Sequence, residues 1–129
     1  MNKKIFIVDD HPIFRQGLIR IIGEMPGLDL VGEAGDGAEA LMRCEELKPD
    51  IVVVDISLPS MNGFELIRKL DAINFQGEFI VLTMYNESVY FDEALELNVR
   101  GYLLKEKYRG ARAGRLHTDS DPYSGPGQR

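Results

Sequence analysis

Ile51-Val52-Val53-Val54-Asp55-Ile56-Ser57-Leu58-Pro59 is an apolar, β-branched run that stops on a single carboxylate. A strand buried on both faces loses the usual polar alternation, so the run predicts a central strand of a covered sheet. Pro59 forbids a simple continuation. The strand therefore hands Asp55 to a loop at its C-terminal end. In open α/β sheets that edge is where ligands bind, which makes Asp55 the candidate reactive residue.

Similar short runs recur on either side. Lys4–Val8 ends on Asp9-Asp10, Leu28–Ala34 ends on Gly35, Glu78–Thr83 ends on a hydroxyl, and Arg100–Leu104 ends on Lys105. Helical patterns separate them. Pro12 suits a first helical position, and Ile13, Phe14, Gly17, Leu18, Ile21, Ile22 and Met25 share one face before Pro26-Gly27. Asp36 is placed to cap a second helix through Leu47, with Ala40, Leu41, Cys44 and Leu47 inward and Lys48-Pro49-Asp50 as breaker. Residues 57–63 are turn-rich, and the helix after them carries Phe64, Leu66, Ile67, Leu70 and Ile73. A fourth helix is expected over Asn86–Leu97, with Val89, Tyr90, Ala94 and Leu95 inward and Asn98 as left-handed cap. Strands alternating with helices predict an α/β, flavodoxin-like doubly wound sheet of five parallel strands in the order 2-1-3-4-5.

Length and composition fit one domain: 129 residues, 44% hydrophobic and 28% charged. No apolar run approaches the roughly 20 residues that span a bilayer, so no membrane partner is expected. The apolar segment near the N-terminus is too short for a signal peptide and ends in two acids, and Cys44 is the lone cysteine; both favour a cytoplasmic location. Residues 1–105 hold 10 Lys/Arg against 18 Asp/Glu, an acidic body that disfavours direct contact with nucleic acid.

In the strand order above, Asp9, Asp10 and Asp55 would converge at the switch point, with Thr83 and Lys105 across from them. Three carboxylates repel unless a cation sits among them. A hard divalent ion such as Mg²⁺ suits oxygen ligands and keeps waters that a phosphate replaces. A carboxylate can attack phosphorus to form an acyl phosphate, while the metal and Lys105 neutralise the transferred oxygens.

Val8-Asp9-Asp10-His11-Pro12, Val54-Asp55 through Pro59 with Met61-Asn62-Gly63, Leu82-Thr83-Met84 and Gly101-Tyr102-Leu103-Leu104-Lys105 resemble the receiver domain of bacterial two-component response regulators. The wording of the first and last motifs looks most like the branch that carries a LuxR-type helix-turn-helix. The resemblance covers residues 3 to 105. It implies Asp55 as phospho-acceptor, Asp10 as direct Mg²⁺ ligand, Asp9 as second acid and the Ser57 backbone carbonyl as a further ligand. It implies Thr83 as the switch hydroxyl, Tyr102 as the aromatic that follows it, and Lys105 as the phosphate-pairing lysine. A sensor histidine kinase or a small acyl phosphate would be the donor. Such a chain is a switch rather than an enzyme, with self-catalysed phosphotransfer and autodephosphorylation as its only chemistry.

Each residue also has a plainer reading. Asp9-Asp10 could serve a helix N-terminus, Lys105 could be solvated, Tyr102 could simply pack, and His11, at the start of the first helix, is not expected to relay phosphate. Cys44 is read as a small core residue. Two other functions compete: a receiver-like interaction module that works without phosphorylation, and an Asp-nucleophile phosphohydrolase, whose Asp-x-Asp signature is absent. A flavin-binding flavodoxin would need a hydroxyl-rich loop where Asp9-Asp10 stands.

Residues 1–105 thus form the expected receiver core. Residues 106–129 carry Gly110 and Gly114, each costing a helix about 1 kcal/mol, and read as an atypical fifth-helix region with a disordered tail. No output domain is expected there, so DNA would be reached only through a domain this sequence does not carry. A second copy of the chain is a further expected partner, covering the face that a weak fifth helix leaves open. Glu106 in place of the family's proline predicts a trans peptide after Lys105.

Overall fold

The computed structural model describes residues 2–84 and 88–105. Five strands, β1 (Lys3–Val8), β2 (Leu28–Ala34), β3 (Ile51–Asp55), β4 (Glu78–Thr83) and β5 (Gly101–Leu104), form one parallel sheet in the order β2-β1-β3-β4-β5. Four helices connect them: α1 (Pro12–Gly23), α2 (Gly37–Leu47), α3 (Gly63–Ala72) and α4 (Ser88–Glu96). This is the doubly wound order read from the sequence. The expected fifth-helix region and the peptide after Lys105 lie outside the described residues, as do the first two residues expected in the fourth helix.

The strand period of two sorts the sheet into two faces. Phe6, Val8, Val52, Val54, Phe79 and Val81 pack under Ala40 and Cys44 of α2, Phe64, Leu66, Ile67 and Leu70 of α3 and Ala94 of α4. Ile5, Ile7, Val53 and Leu82 pack on the other face with Ile22, Phe14, Leu18 and Ile19 of α1. β3 is central and buried on both faces, which is why its sequence shows no polar alternation. Each fully buried aliphatic or aromatic side chain contributes about 1.5–3 kcal/mol. A core of this size can carry the cost of several buried charges.

The helix ends follow local chemistry. Asp36 accepts from Glu39 N at 2.8 Å, and Asn62 accepts from Glu65 N at 2.9 Å, each satisfying a donor that the first turn leaves open. Asn98 has φ 63°, its N–H donates to Leu95 O, and Val99 N–H donates to Ala94 O, the paired bonds of a left-handed helix stop.

The inward faces differ from expectation at five side chains. On α1 the stripe runs through Phe14, Leu18, Ile19 and Ile22, so Ile13 points to solvent, and the helix ends at Gly23, before Met25. Ile73 lies beyond the end of α3 and is exposed. On α4 the stripe is Tyr90, Ala94 and Leu97, leaving Val89 and Leu95 flanking it, each 61% exposed. Apolar residues adjacent to a stripe widen it in the sequence without being buried.

Candidate functional site

β1 and β3 are neighbours, and both stop on a carboxylate at the same edge of the sheet. Asp9 extends the pairing of β1 by donating its N–H to Ala34 O at 3.0 Å. Its own side chain then turns the chain, Oδ1 accepting from His11 N at 2.8 Å, and Pro12 begins α1. Arg15 of α1 donates to the Asp9 carbonyl and pairs through Nε with Glu33 Oε1 at 2.7 Å, tying the turn to β2.

The turn after β3 is closed by backbone. Ile56 N donates to Leu82 O at 3.0 Å, and Gly63 N donates to Ile56 O at 2.8 Å. Gly63 lets the turn close tightly, because a Cβ there would stand 2.5 Å from Asp55 O. Ser57 N donates to Asp55 Oδ1 at 3.1 Å, fixing the rotation of the carboxylate.

The site assembles from opposite ends of the chain. Lys105, at the end of β5 and 2% exposed, brings Nζ to 3.1 Å from Asp9 Oδ2 and 3.2 Å from Asp55 Oδ2. Both carboxylates are fully buried. The ammonium also lies 4.5 Å from the centre of the Phe14 ring, which shields it on the α1 side. Asp10 is partly exposed at the rim. Thr83 is buried at the end of β4, one residue beyond the Leu82 that pairs with Asp55. Tyr102 sits two residues earlier on β5 than Leu104, the partner of Thr83, and its ring meets Phe91 edge-on at 5.4 Å.

Burial is the main force on Asp55 and raises its carboxyl above the usual range. The Lys105 charge pulls it back, the Asp9 charge pushes it up again, and the bonds from Ser57 N and Lys105 lower it. A more basic carboxylate is a stronger nucleophile when it is ionised, and the Lys105 ammonium favours that form. Away from the site, burial pushes the Cys44 thiol up to about 12, with Arg43 opposing weakly, as fits a core residue rather than a reactive one.

Asp9, Asp10, Asp55, Ser57, Thr83 and Lys105 stand at or just past the carboxyl ends of β1, β3, β4 and β5, and Tyr102 lies within β5. Three further residues touch this cluster without having been expected there. Phe14 and Arg15 were read only as part of a helix. His11 was set aside as a helix-start residue, yet its Nδ1 lies 3.1 Å from Asp9 Oδ1, 3.2 Å from Asp10 Oδ1 and 2.9 Å from Lys105 Nζ. Its place directly after two acids does not show which way the ring turns.

Residues 5–111 match the response regulator receiver domain family. The chain belongs to that family. Receiver relatives include the DNA-binding transcriptional activator DevR/DosR of Mycobacterium tuberculosis, 40% identical over 80% of this chain and 48% of its own length. The nitrate/nitrite response regulator NarL of Escherichia coli K12 is 35% identical over 79% of this chain and 47% of its own. The chain spans about half the length of the curated relatives it matches. A LuxR-family two-component response regulator from Aurantimonas superposes with TM-score 0.76 at 34% identity, covering 89% of this chain and 88% of that one. The signal receiver domain of a putative NarL from M. tuberculosis superposes with TM-score 0.77 at 26% identity, covering 88% and 98%. Among the described residues, no helix is long and apolar enough to cross a membrane.

Proposed function

We propose that residues 1–105 form a phospho-accepting switch, with Asp55 taking a phosphoryl group from the phosphohistidine of a sensor kinase or from a small acyl phosphate. The supporting observation is the buried arrangement of Asp9 and Asp55 around Lys105 at the carboxyl edge of the sheet. Burying carboxylates that face each other is costly, and the core alone has no use for them.

A divalent cation fits the donor set. Asp9, Asp10, His11 and Asp55 offer ligand atoms that all lie within 4.8 Å of one another. In this reading Asp10, Asp9, Asp55 and the Ser57 carbonyl hold Mg²⁺. The ion, when bound, neutralises charge on the transferred oxygens. Asp55 supplies the attacking oxygen: an O–P bond forms, and the P–N bond to the donor imidazole, or the P–O bond of the acyl phosphate, breaks with its electron pair leaving on the donor. Ser57 N holds one carboxylate oxygen, which orients the other. Lys105, already paired with Asp55, moves its charge onto the phosphoryl oxygens. Thr83 then hydrogen-bonds the phosphoryl group, Tyr102 follows it inward, and the surface of α4 and β5 rearranges. The chemistry is self-catalysed phosphotransfer and autodephosphorylation. The switch acts in the cytoplasm, and its output to DNA passes through a domain such as the DNA-binding relatives carry, with a second copy of the chain as a further partner.

Incubation with acetyl phosphate and Mg²⁺ followed by intact mass measurement tests the reading. The expected result is a gain of one phosphoryl group that Asp55→Ala lacks. A folded, Mg²⁺-binding sample that gains no mass would overturn it in favour of a receiver-like module that signals without phosphorylation.

A further inference from the structure

Arg15 makes more contacts than a helix residue requires. It stands in the first turn of α1, where its N–H donates to His11 O at 2.9 Å, and its side chain turns back over the carboxyl ends of β1 and β2. Nε donates to Glu33 Oε1 at 2.7 Å, and Nη1 donates to the Asp9 carbonyl. A Cβ on Gly35 would stand 3.5 Å from the same Nη1, so the guanidinium lies against the end of β2. Glu33 is held in turn from the other face of the sheet, where Arg43 of α2 donates to its carbonyl at 3.2 Å. The end of an edge strand is thus fastened to a helix on each side through one residue.

The carbonyl that Arg15 takes belongs to the peptide joining Asp9 to Asp10. The N–H of Asp9 donates to Ala34 O at 3.0 Å, and its Oδ1 accepts from His11 N at 2.8 Å. The plane of the next peptide is what remains to be set, and it decides the direction in which the Asp10 side chain leaves the chain. Asp10 is 34% exposed, so packing does little to aim its carboxylate.

Neither stability nor charge explains the arrangement as well. A partly exposed Arg–Glu pair contributes little to folding. A lone guanidinium beside an acidic site would oppose a cation there, and Glu33 offsets that charge at close range. What remains is a rigid planar fork with one arm on Glu33 and the other on the Asp9 carbonyl.

We propose that Arg15, fixed by Glu33, is the positioning residue for Asp10: it sets the peptide between Asp9 and Asp10 so that the Asp10 carboxylate faces Asp9 and Asp55 before a divalent cation binds. The inference rests on the cation site proposed above and deepens it by naming the residue that preorganises that site.

Mn²⁺ alone is the probe, its binding followed by loss of the electron paramagnetic resonance signal of the free ion, with no phosphoryl transfer involved. Arg15→Ala should bind Mn²⁺ about tenfold more weakly than wild type. Uptake from acetyl phosphate should then need a correspondingly higher Mg²⁺ concentration, with a smaller effect on the rate at saturating Mg²⁺. Arg15→Lys keeps the charge but not the fork, and its Mn²⁺ affinity should fall between the two. The sign separates the alternatives. A residue that acted by charge alone would give tighter Mn²⁺ binding in Arg15→Ala and wild-type binding in Arg15→Lys. One that served only the fold would leave the affinity of the folded variant unchanged, with folding checked by circular dichroism. Either result overturns the role of Arg15 and leaves the carboxylate site standing. Should Arg15→Ala fail to fold, Arg15→Lys decides: weaker Mn²⁺ binding supports the role and wild-type binding overturns it. A folded wild-type chain that binds neither Mn²⁺ nor Mg²⁺ overturns the cation site and this role together.

Discussion

The two ends of the sheet use the same residue type differently. At the amino end, Asp50 begins the turn into β3, and its carboxylate accepts from Lys4 N at 2.7 Å. Its N–H donates to Lys4 O at 2.8 Å, and its carbonyl accepts from Glu78 N at 2.9 Å. Asp50 thus clips three strands together, and its side chain is spent on backbone. At the carboxyl end, Asp55 has one backbone donor, Ser57 N, and otherwise faces Lys105, Asp9 and, at 3.5 Å, His11 Nδ1. Charge that closes backbone bonds stabilises a fold. Charge that faces other charge is held at a cost, and that cost is the mark of a site.

The largest expected departure comes from removing the ammonium. Lys105→Met leaves Asp9 and Asp55 buried together without their shared partner. Breaking a buried pair in this way costs about 3–5 kcal/mol. Lys105 is also the largest influence lowering the Asp55 carboxyl, so in the variant that group rises further. The loss should therefore be greatest at neutral pH and shrink as the solution is acidified and Asp55 takes up its proton. Urea unfolding of both proteins across that range measures it. A loss that did not depend on pH would mean that Lys105 matters for packing rather than charge.

Two glycines extend the comparison to the backbone. A Cβ at Gly63 would stand 2.5 Å from Asp55 O, and one at Gly77 would stand 2.6 Å from Pro49 O. Neither carbonyl can yield without moving a strand end. Each substitution to Ala should cost about 1–3 kcal/mol through overpacking. Their functional effects should part. Gly63→Ala displaces Asp55 itself and should slow phosphoryl uptake from acetyl phosphate, while Gly77→Ala, at the opposite end, should lower the melting temperature and leave uptake intact. Equal loss of uptake in both would show that the carboxyl edge is not a locally built site.

How far these differences could be read beforehand varies with the physics behind them. β3 was legible because burial on both faces writes itself into five consecutive residues. The Asp36 and Asn98 caps were legible because their chemistry is local. The exposure of Val89 and Leu95 was not, since the rotation of α4 is set by its packing on Tyr90, Ala94 and Leu97 rather than by composition. Asp50 read only as part of a helix breaker, because its partner Lys4 lies 46 residues away. The gathering of Asp9, Asp55 and Lys105 required the strand order, and the family motifs supplied the expectation. His11 escaped because a histidine after two acids reads the same whether its ring turns inward or out.

The smallest expected changes in stability set the two aspartates directly against each other. Asp50→Ala removes the acceptor for Lys4 N and should destabilise by about 1–2 kcal/mol, with phosphoryl uptake unchanged. Asp55→Asn should do the reverse, abolishing uptake while raising stability at neutral pH. The sign follows from the raised carboxyl. A group whose folded-state affinity for protons exceeds its unfolded value favours folding while protonated, and that support is lost as pH rises through its folded titration. Ionised Asp55 is thus a burden at neutral pH, and the amide lifts it. The gap between wild type and Asp55→Asn should close as pH falls towards the ordinary carboxylate range. Thermal melts at neutral and acidic pH read this directly. A variant less stable than wild type at neutral pH would place Asp55, like Asp50, among the residues that hold the fold together.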